Sequence, residues 1–340
     1  MRRMSSAPLL HDKFGDEDVS NTHTTSFECG DSFRTSLVGH ASVRTNFLVF
    51  GAGDGRRPRQ RVLVVVGNPG VCEFYYDFAC ALSAQCGHED EIVVASHLGH
   101  CGRRIGAAFS LDEQVEHKRE LLAALVGESA DSQRILRDLR LAPRTDVPIV
   151  LAGHSIGAYI CFKLAAADGA RARPRVRRVL ALFPTFRDLA AGLVPLVRVA
   201  VLPGFRHLFA ALLGFMPTFL THRLLHATHA MSDEAKYALP DKLCYDFIYN
   251  VLWMAYTETL QITAVDPELE RLFADARGRL EFFYSPIDNY TPPSFPAELV
   301  QQHPPLEPHV HITSDRIRHA FVLSNSGEVA ELLANGGHLD

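Results

Sequence analysis

At 340 residues, with 47% hydrophobic and 21% charged residues, the chain has the make-up of a folded protein long enough to bury one large core, not that of a disordered scaffold. A formal charge of -5 and a pI near 6.4 give no basic stripe for a phosphate backbone, so no nucleic-acid partner is expected. Seven cysteines lack CxxC spacing and leave one over from any complete pairing, which points to reduced thiols and a cytoplasmic protein.

Residues 1–36 mix Ser, Thr, Asp and His with three arginines, and lack the apolar run of about 7 to 15 residues that a secretory signal needs. They are expected to form a disordered tail ahead of a single α/β domain over 37–340. From there short apolar runs alternate with longer helical patterns, which predicts a mostly parallel central sheet with helices on both faces. The first strands are expected at 43–50 and 61–66. The second runs into Gly67-Asn68-Pro69-Gly70, a turn that can aim the Asn68 N–H at the top of the sheet. A strand at 91–97 leads into SHLGHC, where His97, His100 and Cys101 resemble metal ligands. No second cluster completes a tetrahedral set, so they are read as loop-packing residues and no metal or cofactor is expected. Ser110-Leu111-Asp112-Glu113 is a capping box that starts a helix with Leu111, Val115, Leu122, Leu125 and Val126 on one face.

The apolar run 147–153 ends in Gly153-His154-Ser155-Ile156-Gly157, which fits G-x-S-x-G between a strand and a helix expected to stop at Gly169. That turn lifts the Ser155 hydroxyl clear of the sheet, as a nucleophile requires, and leaves the Ile156 N–H to pair with that of Asn68 as oxyanion donors. After a strand at 176–184, nearly a hundred residues precede the next one at 279–285. An inserted helical cap over about 187–275 accounts for them. Its segment 189–225 is strongly apolar, with Arg198, Arg206 and Arg223 as its only fully charged residues. The longest stretch free of charge and histidine, Leu208 to Thr221, is 14 residues, too short to span a bilayer. A shallow hairpin turning at Pro203-Gly204 or Gly214, with its arginines at the polar surface, is expected instead, the alternative being a lid packed over the active site. Asp288 follows the 279–285 strand and is the expected orienting acid, with Asp188 after the preceding strand as its competitor. His319 follows the last strand, at 309–313, and completes the chain order Ser, Asp, His, which makes it the expected base.

These residues resemble a known family, the lipid droplet-associated hydrolases, serine enzymes of the α/β-hydrolase fold. The resemblance rests on GNPGVCEFYYDF at 67–78, SHLGHC at 96–101, SLDEQVEHK at 110–118, GHSIGAY at 153–159, LFPT at 182–185, IDNYTPP at 287–293 and RHAFVLSNS at 318–326. It implies Ser155 as nucleophile, Asp288 as acid and His319 as base. It further implies a cytosolic protein that settles on the phospholipid monolayer of lipid droplets and acts on a neutral lipid ester such as a cholesteryl ester. The chain departs from the pattern after LFPT, where FRDLAAG replaces an expected Ser-Pro-Asn-Gly turn, and in the loop around 127–146. A droplet-surface interaction protein with weak or vestigial esterase activity is the alternative, because an apolar cap serves either role.

Overall fold

In the computed structural model, the described residues are 25–26, 32–38, 43–51, 57–102, 105–169, 175–226, 239–275 and 278–339. The strands among them are β1 (Thr25–Ser26), β2 (Ser32–Val38), β3 (Arg44–Phe50), β4 (Arg61–Val65), β5 (Glu91–Ala95), β6 (Ile149–His154), β7 (Val176–Leu182), β8 (Leu280–Tyr284) and β9 (Val310–Ile312). They form one sheet in the order β1-β2-β3-β5-β4-β6-β7-β8-β9. Every pairing from β5 through β9 is parallel, and β1, β2 and β3 join antiparallel at one side. All seven expected strands are present. The stretch expected as a tail differs in part: β2 pairs with β3 along seven residues, so ladder hydrogen bonds hold a segment whose polar composition alone argued against order. The rest of 1–36, apart from β1, lies outside the described residues.

Period-two alternation sends the side chains of each central strand to two separate cores. Leu63 and Val65 of β4 face one core with α2 (Leu111–Leu125) and α4 (Ile156–Gly169), whereas Val62 and Val64 face the other with Phe78 and Leu82 of α1 (Tyr76–Gln85). The expected capping box is formed at Ser110, whose side chain accepts from the Glu113 N–H while Glu113 reaches back. A short helix, α3 (Ser132–Asp138), lies in the loop before β6. Cys72, Cys161 and Cys244 are free thiols, whereas Cys80 is disulfide-bonded, which departs from the expectation of reduced cysteines.

Between β7 and β8 the chain builds α5 (Leu189–Gly192), α6 (Pro195–Ala200), α7 (Phe205–Gly214), α8 (Thr218–His226), α9 (Tyr245–Gln261) and α10 (Pro267–Ala274). The apolar segment is thus a string of short helices, broken at Gly192, at Pro203-Gly204 and at Gly214 to Pro217, where glycine and proline interrupt the pattern. Gly214 lies so close to the start of α9 that an added Cβ would stand 2.4 Å from the Tyr245 nitrogen. Arg206 corrects the expectation for the three arginines. Its guanidinium is buried over Trp253 and Tyr256, 4.7 Å from each ring centroid, because α9 offers an aromatic face that binds a cation. Arg198 and Arg223 are exposed. No helix among the described residues is long and apolar enough to cross a membrane. After β8, helices α11 (Phe295–Gln302) and α12 (Ser326–Asn335) complete the chain, with α12 beside α1.

Candidate active site

Ser155 occupies the single residue between β6 and α4 at a φ of 54°. A non-glycine residue in this left-handed region is strained, and the neighbouring sequence explains how the strain is held. An added Cβ at Gly153 would stand 2.5 Å from Ala158 Cα, and one at Gly157 would stand 2.1 Å from the Val65 carbonyl oxygen. Both glycines are therefore required for α4 to start against the ends of β6 and β4. The Ser155 N–H donates to Leu182 O of β7 at 2.9 Å, which fixes the turn from the other side.

The loops after β8 and β9 bring two further side chains to this point. His319 Nε2 lies 2.9 Å from Ser155 Oγ, and His319 Nδ1 lies 2.7 Å from Asp288 Oδ2. Asp288 Oδ1 accepts from the backbone N–H of Tyr290 at 2.7 Å and of Thr291 at 3.2 Å, so the loop's own amides hold the carboxylate. With Asp288 buried and accepting, Nδ1 of His319 carries the proton and Nε2 is left to accept from the serine hydroxyl. Asp188, the competing acid, is exposed at the start of α5, and its side chain caps nothing.

A second chain of hydrogen bonds fixes His319 from behind. The Gly67 N–H donates to Tyr75 Oη at 2.7 Å, Tyr75 Oη lies 2.6 Å from His154 Nδ1, and His154 Nε2 lies 2.8 Å from His319 O. A carbonyl only accepts, so the His154 proton sits on Nε2 and Tyr75 donates to Nδ1. Burial, with His319 nearby, pushes His154 down to about 3, which keeps it neutral across the physiological range. Burial also pushes Tyr75 up, so it remains a phenol and a donor.

The turn after β4 lies beside Ser155: an added Cβ on Gly67 would stand 3.3 Å from Ser155 Cβ. Ile156 is the first residue of α4, and its N–H is one of those a helix leaves without an intrahelical acceptor. The Asn68 side chain turns to the insertion, where its Nδ2 donates to Val251 O and to Glu258 Oε1, both at 3.1 Å. Burial pushes the Glu258 carboxyl up to about 8. His154, Tyr75 and Glu258 were not among the expected site residues. His154 alone carried a signal, as the neighbour of Ser155 within the G-x-S-x-G turn.

The cluster in SHLGHC lies apart from these contacts. His97 and His100 are fully buried, and His100 Nδ1 accepts from the Gly70 N–H at 2.7 Å. Burial pushes His100 down to about 3 and His97 down as well. The loop after β5 thereby buttresses the loop after β4.

The family described as lipid-droplet associated hydrolase matches residues 58–322. A lipid droplet-associated hydrolase of Dictyostelium discoideum is 32% identical over 79% of this chain and 84% of its own. One from Rattus norvegicus is 25% identical over 94% of this chain and 96% of its own. Among solved structures, the peroxisomal α/β-hydrolase Lpx1 of Saccharomyces cerevisiae superposes with a TM-score of 0.60 at 13% identity, covering 94% of this chain and 87% of that one. The fold is accordingly the α/β-hydrolase fold.

Proposed function

This chain belongs to the lipid-droplet associated hydrolase family, and on that premise we propose that it is a serine hydrolase of carboxylic esters of neutral lipids, such as cholesteryl esters, working at the droplet surface. The observation that carries the reading is the hydrogen-bonded line Ser155 Oγ, His319, Asp288 at the carboxyl end of the sheet.

In this mechanism Ser155 Oγ attacks the ester carbonyl carbon as His319 Nε2 takes the hydroxyl proton. Asp288 stays ionised and stabilises the imidazolium through Nδ1–H. The carbonyl oxygen becomes an oxyanion, held by the N–H groups of Asn68 and Ile156. Collapse of the tetrahedral intermediate breaks the bond to the alcohol oxygen, which leaves with the proton from His319. Water then attacks the acyl-serine, His319 takes its proton, and the carboxylic acid departs with Ser155 restored.

The helical insertion between β7 and β8 serves as the cap, and its segment 189–225 as the docking face. Leu212, Phe215 and Phe219 are 61, 71 and 74% exposed, and Leu196 and Leu208 lie open beside them. Burying a Leu or Phe side chain in oil contributes roughly 1.5 to 3 kcal/mol. A monolayer over an oil core accepts such side chains without being crossed. The segment has no acidic residue, and its exposed Arg198 and Arg223 suit anionic headgroups.

Ser155→Ala tests the reading, because it removes one hydroxyl from a strained turn and leaves the fold in place. We expect a loss on the order of 10⁶ in kcat on the best ester, and loss of labelling by a fluorophosphonate probe that modifies the parent. Unchanged turnover, or a parent that the probe does not label, favours a droplet-surface interaction protein without ester chemistry.

A further inference from the structure

At the far edge of the sheet, away from Ser155, three histidines that no sequence motif joins converge on one carboxylate. Glu281, the second residue of β8, is buried. Its Oε2 lies 2.7 Å from His311 Nε2 on β9 and 3.6 Å from His338 Nδ1, beyond α12. Its Oε1 lies 3.0 Å from His309 Nδ1. The Glu281, His311 and His338 ligand atoms all lie within 4.8 Å of one another.

We propose that Glu281, His311 and His338 form a binding site for a divalent transition-metal ion of the zinc class, which ties the C-terminal segment to the edge of the sheet. Zinc–ligand bonds of about 2.0 to 2.2 Å at tetrahedral angles set neighbouring ligand atoms about 3.4 Å apart. The spacings of 2.7 and 3.6 Å bracket that value. Two imidazoles and a carboxylate are ligands that zinc accepts, with water in the fourth position. His309 donates Nδ1–H to the other carboxylate oxygen and orients it, the kind of support that metal-bound carboxylates receive.

The ligands are also held in place before any ion arrives. Phe283 stacks on the His311 ring at 4.9 Å and meets the His338 ring edge-on at 5.0 Å. Arg178 Nη1 donates to the carbonyls of Gly337 at 3.2 Å and His338 at 2.9 Å, fixing the chain that carries the third ligand. The His338 ring folds back on Gly336 so closely that an added Cβ there would stand 2.3 Å from its Nε2. Glu281 lies at the start of β8 and Asp288 in the loop beyond its other end, so the proposed ion stands apart from the Ser155 line.

The test uses the 340-residue chain, stripped with a chelator and then titrated with Zn²⁺ by calorimetry and with Co²⁺ by visible absorption. We expect one equivalent bound at micromolar metal, a d–d spectrum without the thiolate band that cysteine ligation would give, and a rise of several degrees in Tm. His311→Asn and His338→Asn should each weaken binding at least tenfold. Ser155→Ala should bind as the parent does. Should the asparagine variants fail to fold, hydrogen exchange of the parent with and without Zn²⁺ decides: slowing confined to β9 and 336–339 supports the site. No binding at micromolar Zn²⁺, equal binding by the folded asparagine variants, or protection elsewhere in the chain overturns it.

Discussion

Asp288 and Asp188 follow neighbouring strands, yet their surroundings divide the work between them. Asp288 spends one oxygen on two loop amides and presents the other to His319, whereas Asp188 stands exposed with nothing to orient. Asp288→Asn keeps the shape but stabilises the wrong imidazole tautomer, and should lower kcat on the order of 10⁴, the cost of that exchange in a serine protease. Asp188→Asn should leave kcat on a short soluble ester unchanged. The reverse outcome, with Asp188→Asn crippling and Asp288→Asn mild, would move the acid to the other strand. The three residues of this line were legible in the sequence because a turn motif and a fixed chain order name them without knowledge of any contact. Tyr75 and Glu258 were not, since their partners lie 79 and 190 positions away and no local pattern records such pairs. The Glu281 cluster escaped for the same reason: its ligands share no metal-binding spacing, and the sheet edge alone brings them together.

At the scale of elements, α9 links the insertion to the chemistry, because Val251 and Glu258 hold the Asn68 side chain from one helical face. Glu258 titrates near 8 in the folded protein against 4.5 in an exposed chain, so it enters the fold as a neutral acid. Below pH 4.5 both states are protonated, and the stability of the neutral form is fully present. As pH rises from 4.5 to about 8 the unfolded chain ionises first and that stability is lost. Glu258→Gln has no such proton to lose. Its urea midpoint should therefore gain on the parent's between pH 5 and pH 8, and its alkaline loss of kcat should move to higher pH, because no carboxylate forms beside Asn68. Parallel stability curves for the two proteins would show that Glu258 is already ionised at neutral pH. The strands were easier to foresee than this helix: five-residue apolar runs between turn residues mark a buried sheet, and the Ser110 box marks the start of α2. In the stretch over 189–225, glycine and proline break the apolar pattern and suggest a hairpin. Those same residues end α5 and separate α6, α7 and α8, and the aromatic face that buries Arg206 comes from α9, well downstream.

For the whole molecule, the order of layers decides what a droplet surface would meet. The sheet carries the hydrogen-bonded Ser155–His319–Asp288 line at its carboxyl end, α9 lies over the Asn68 loop, and α7 packs on α9 through Arg206 and Ala210. The other side of α7 and the start of α8 then turn Leu208, Leu212, Phe215 and Phe219 to solvent. A protein set down on a monolayer by this face would have its cap in oil, with α9 between that face and the Asn68 loop beside Ser155. Replacing Leu212, Phe215 and Phe219 together by aspartate adds charge on a face that supports no core. The variant should keep its Tm and its turnover of a short soluble ester, while losing its place on droplets and its activity on emulsified long-chain ester. Cell fractionation and the two assays read these outcomes separately. A variant that stays on droplets, or one that unfolds, would mean that this face packs over the site as a lid and that some other surface meets the lipid.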